Sequence, residues 1–97
     1  MNEITKYFYL QLMWIVEEIN LSDEPETAEE AFDSYLICAC GHTKEKYGDD
    51  AIDQVNGVGE LDDMILEFIK IYEFGDIGNY EEIKDRIHHI LSQGEKT

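Results

Sequence analysis

Positive charge is what this chain has least of. Seven Lys and Arg stand against 23 Asp and Glu, a formal net charge of −16 over 97 residues. Direct binding to DNA or RNA is therefore disfavoured, because those polyanions are held by Lys and Arg that displace counterions. Cysteine is scarce too. Cys38 and Cys40 are too few and too close together for a disulfide framework and read as reduced thiols. The single proline, Pro25, and the absence of a Gly- or Ser-rich linker point to one domain over residues 1–97. No apolar run is long enough for a membrane, which needs about 20 residues. Glu3 sits where a secretory leader would be basic, and no small-residue cleavage site follows the apolar run. The expectation is a cytoplasmic protein with no membrane contact.

Catalytic motifs are also missing. There is no Gly-rich phosphate loop and no nucleophile elbow, and nothing places Cys38 or Cys40 in a cleft with a base and an orienting third residue. The reading is not an enzyme, with no cofactor. No β alternation and no internal repeat is present.

What is present is apolar material at helical spacing. At 43% hydrophobic residues the chain is too apolar to stay disordered. The run from Tyr7 to Val16 is broken only by Gln11, so a helix there is apolar nearly all round and must be covered on several sides. Helix one is expected from Asn2 or Glu3 to Asn20, with Asn2 as cap and Ile4, Phe8, Leu12, Ile15 and Ile19 as its inner stripe. A loop over 21–26 follows, around Pro25. Thr27 with Glu30 forms a capping box that starts helix two. Its stripe is Ala28, Ala31, Phe32, Tyr35, Cys38, Ala39 and His42, and Gly48 is a left-handed stop. Gly41 falls inside this helix, where it either bends it or admits another backbone.

Residues 49–55 suit one or two short helical turns, with Ile52 and Val55 on the core. Helix three is expected from Gly59 to Phe74, with Leu61, Met64, Ile65, Phe68, Ile69 and Tyr72 inward. Helix four is expected from Tyr80 to Leu91, capped by Asn79, with Tyr80, Ile83, Ile87, Ile90 and Leu91 inward. The fold class is all-α: a compact bundle of four main helices with a short extra helix near residues 50–55.

Two patterns resemble metal sites. Cys38 and His42 are one helical turn apart, but structural zinc needs four converging ligands and the second pair is lacking. Residues 49–60 have EF-hand length, with Asp49, Asp53 and Glu60 in ligand positions. Ala51 and Gln54 occupy defining positions that need an oxygen ligand and a glycine. Core packing and an acidic surface turn are the preferred readings, and no metal is assigned.

The charge pattern carries the functional reading. Between Lys6 and Lys44 there is no base, and the interval holds Glu17, Glu18, Asp23, Glu24, Glu26, Glu29, Glu30 and Asp33. Between Lys46 and Lys70 there is again none, and Asp49, Asp50, Asp53, Glu60, Asp62, Asp63 and Glu67 lie there. A solvated helix face usually mixes signs to gain opposite-charge pairs. Six tyrosines are many for this length, and Tyr suits interfaces. Tyr9 and Tyr47 lie off the stripes and are the expected exposed pair. Tyr47 joins the acids Glu17 to Asp33 and Asp49, Asp50 and Asp53 as the candidate partner-binding set.

In size, acidity and helical character along its whole length, the sequence resembles the bacterial immunity proteins of contact-dependent growth inhibition and colicin-type toxins. The adjacent tyrosine pair of the colicin nuclease group does not occur, so no residue is carried over. The resemblance implies a cognate basic nuclease or tRNase toxin domain, blocked at or beside its active site. Two alternatives share the composition: a phage-encoded nucleic-acid mimic that inhibits a host defence complex, and a self-associating helical regulator.

Overall fold

The computed structural model describes residues 2–19 and 26–93. The expected loop around Pro25 lies almost wholly outside them, as do Asp23 and Glu24. The described residues form four main helices and a short 3-10 helix, with no strand: α1 (Glu3–Trp14), α2 (Ala28–Tyr47), α3 (Gly59–Tyr72) and α4 (Tyr80–Gln93), with the 3-10 turns at Asp49–Gln54.

Helix α1 begins where its cap dictates. The Asn2 side-chain oxygen accepts from the Thr5 N–H at 2.7 Å. Its end departs from expectation, because Ile15–Ile19 continue as a π-helical turn. The Ile15 N–H is shared between the carbonyls of Gln11 and Leu12 as the turn begins to change. A wider i→i+5 turn rotates each residue less than an α-turn does. Ile15 and Val16 are both buried, while Ile19, expected inward, is exposed.

Helix α2 opens on the expected box, with Thr27 Oγ1 accepting from the Glu30 N–H at 3.1 Å. The reciprocal bond is displaced by one residue: Glu30 accepts from the Glu26 N–H at 3.0 Å. The helix stops at Gly48, whose φ of 101° is open to glycine but strained for other residues. Gly41 lies inside α2 with no heavy atom within 4 Å of where a Cβ would stand, so no backbone approaches it. In the 3-10 turns it is Ala51 that is buried, whereas Ile52 and Val55 are only partly covered.

The apolar run of α1 and the π turn is buried in the core, with α2 packed against α1, the 3-10 turns and α3. Phe8, Tyr9, Leu12, Met13, Ile15 and Val16 meet Ala31, Tyr35 and Ala39 of α2, Leu61, Ile65, Phe68 and Ile69 of α3, and Ile87 and Leu91 of α4 in one core. Small residues on α2 let it lie close to α1. Helix α3 ends at Tyr72, two residues before the expected Phe74. Tyr72 and Tyr80, both expected inward, form a half-exposed rim: Tyr72 stacks on Phe68 at 5.1 Å between centroids, and Tyr80 lies 5.4 Å from Tyr72.

Candidate functional site

The helix directions decide where the acids go. Asn2, which starts α1, donates to the Gln54 carbonyl at 2.9 Å, so the 3-10 turns sit at the amino end of α1. Helix α2 has 20 residues, a length of about 30 Å at 1.5 Å per residue. It separates Glu29 and Glu30 in its first turn from Asp49, Asp50 and Asp53 beyond its last. Glu29 and Glu30 therefore do not form one patch with Asp49, Asp50 and Asp53; these lie towards opposite ends of a molecule 35 × 29 × 20 Å across.

The end built from the close of α1 and the start of α2 gathers more acid than its own interval supplies. Lys84 of α4 reaches Glu17 at 2.7 Å, and Lys70 of α3 reaches Glu29 at 3.5 Å. These contacts bring the last turn of α3 and the first turn of α4 alongside. With them come Glu73, Glu81 and Glu82, which the two longer base-free intervals do not include. Both of these lysines are engaged by acids there, and the Glu17 bond raises the Lys84 pKa above its ordinary value. Glu18, Glu26, Glu30 and Asp33 are exposed at this end, and the Tyr72–Tyr80 rim lies beside Lys84.

The far end is of mixed sign. Lys46 lies over the Tyr7 ring at 4.5 Å and over the Tyr47 ring at 5.5 Å. Tyr7 and Tyr47 meet edge-on at 5.3 Å, and the Tyr47 hydroxyl donates to Glu3 at 3.4 Å. Tyr47 is half-buried, and its ring and hydroxyl are already used within the fold. Asp49, Asp50 and Asp53 are exposed, with Lys44 and Lys46 exposed nearby.

Tyr9 corrects the sequence reading outright. Expected to be exposed, it is 1% exposed. Its hydroxyl donates to Asp62 at 2.9 Å and accepts from the Val58 N–H at 2.9 Å. Burial pushes this phenol up to about 12; the Val58 bond opposes the shift, and the Asp62 bond and charge add to it. Tyr35 is likewise raised by burial and by Glu73, to which it donates at 2.5 Å. Asp62 and Glu73 therefore anchor core tyrosines.

Of the weighed metal ligands, Cys38 packs partly against the core. His42 Nδ1 lies 3.0 Å from Gln11 Oε1, with the Trp14 ring 6.0 Å from its own. Among the described residues no three His, Cys, Asp or Glu side chains are grouped to hold a metal ion. No described helix is long and apolar enough to cross a membrane. Comparison of the chain with protein-family models, with curated proteins and with solved structures returns no match.

Proposed function

We propose that this chain is an acidic immunity-type inhibitor that binds a basic nuclease-type toxin domain and acts by occlusion, without a chemical step of its own. One observation carries the reading. Glu18, Glu26, Glu30 and Asp33 stand exposed at one end, and the nearby Lys70 and Lys84 are already engaged by Glu29 and Glu17. A surface of one sign costs stability through self-repulsion and speeds encounter with a partner of opposite sign. A nuclease site, positive because it attracts phosphate, fits it. The Tyr72–Tyr80 rim supplies aromatic area of the kind that slows dissociation.

The nucleic-acid-mimic reading draws support from acids at both ends of the molecule, but the mixed charge around Lys44 and Lys46 interrupts the negative face such a mimic needs. Adding the purified chain to its captured partner tests the proposal. Nuclease activity should fall in proportion to the chain added and reach zero near equimolar. A captured partner without nuclease activity, or a multi-subunit nucleoprotein complex in place of a single basic domain, would overturn it in favour of the mimic or of another basic target.

A further inference from the structure

The outer face of α3 carries a groove of about 430 Å³ that the fold itself leaves unfilled. One wall is α3 and the other is the turn leading to α4. The turn is held in place. Gly75 takes a φ of 73°, and the Asp76 N–H bonds the Lys70 carbonyl at 3.0 Å. Gly78 backs onto Ile71 so closely that a Cβ there would stand 2.5 Å from Cδ1. The groove is thus formed before anything enters it.

Its lining has two chemistries. Leu66, Ile71 and Ile77 are apolar, and Ile77 is fully exposed, 104% against the reference value. Asp63, Glu67 and Asp76 are carboxylates, and Lys70, the one base on the lining, is turned to Glu29. A lining that is part apolar and part carboxylate matches a side chain that is aliphatic along its stem and cationic at its tip. Arginine fits best, because its planar fork can address two carboxylates at once. The Glu29–Lys70 pair joins the groove to the acidic end described above.

We infer that this groove seats an arginine side chain presented by the basic partner, its stem on Leu66 and Ile77 and its guanidinium among Asp63, Glu67 and Asp76. The inference rests on the reading that the partner is basic, and it is tested without that partner. The probe is the capped tripeptide Gly-Arg-Gly, titrated into the isotope-labelled chain while Ile methyl signals are followed, with the isosteric citrulline tripeptide as the neutral control.

The Ile71 and Ile77 methyls should shift saturably with the arginine peptide. Citrulline and Asp76→Asn should each weaken binding about tenfold, the value of one charge-assisted contact, and Ile77→Ser should weaken it by removing the apolar seat of the stem. Ile77→Ser removes only exposed surface and should leave the rest of the spectrum in place, so a loss there is not a loss of fold. Shifts that never saturate and spread equally over acids at both ends would overturn the inference. So would Ile77 shifts that depend on protein concentration without peptide, since a second copy would then occupy the groove. A failed titration with an intact partner complex removes this seat alone, whereas a partner lacking any basic surface removes the functional reading.

Discussion

At the scale of single residues, the buried hydroxyls tie distant parts of the chain together. Tyr9 bridges α1 to both Val58 and Asp62. Thr5, fully buried, accepts from the Asn56 N–H at 2.8 Å. Tyr9→Phe keeps the ring and leaves the Val58 N–H without its acceptor, which should cost about 1–3 kcal/mol in denaturant unfolding. The same phenol sets an alkaline limit. Its folded pKa, about 12, stands above the ordinary phenol value of 10.0. The unfolded chain therefore loses this proton first. The stabilisation is complete below pH 10 and falls as pH rises towards 12. Unfolding followed across that window should show a shallower decline in Tyr9→Phe than in the parent. None of this was legible in the sequence. Tyr9 lay off the stripe of α1, and both of its partners are about 50 residues away, beyond the reach of periodicity.

At the scale of elements, local signals were legible and register was not. The Asn2 cap, the Thr27 box and the Gly48 stop are short-range chemistry, and the helices begin or end on them. Thr27→Ala should cost about 1 kcal/mol of stability through an unmet N–H in the first turn of α2. Gly41→Ala should do the opposite and add about 1 kcal/mol, because the site is exposed within a helix and open around a new Cβ. Thermal unfolding of the two variants side by side checks both signs. The π-turn at Ile15–Ile19 leaves no mark in the sequence, because the apolar run continues through it without a break in helical spacing. The acids at the α3–α4 corner were missed for a related reason. Glu73, Asp76, Glu81 and Glu82 do run together, in a third and shorter base-free interval between Lys70 and Lys84; what the sequence does not carry is the packing that sets the α3–α4 corner beside the close of α1 and the start of α2.

At the scale of the whole molecule, charge dominates. With a net charge of −16, self-repulsion should be relieved by salt, so the melting temperature should rise as ionic strength goes from about 10 mM to about 150 mM and the screening length shortens. A flat response would mean that the carboxylates are spaced widely enough not to interact. Asp49, Asp50 and Asp53 lie at the other end from Glu26, Glu30 and Asp33, so the partner is assigned to one end. Capture of interacting proteins by three tagged baits tests that assignment most directly: the parent chain, a Glu26, Glu30 and Asp33 to Lys variant, and an Asp49, Asp50 and Asp53 to Lys variant. One basic protein should be retained in equimolar amount by the parent and by the far-end variant, and lost from the Glu26, Glu30 and Asp33 variant. Retention by that variant with loss from the Asp49, Asp50 and Asp53 variant, or capture of copies of the chain alone, would contradict it.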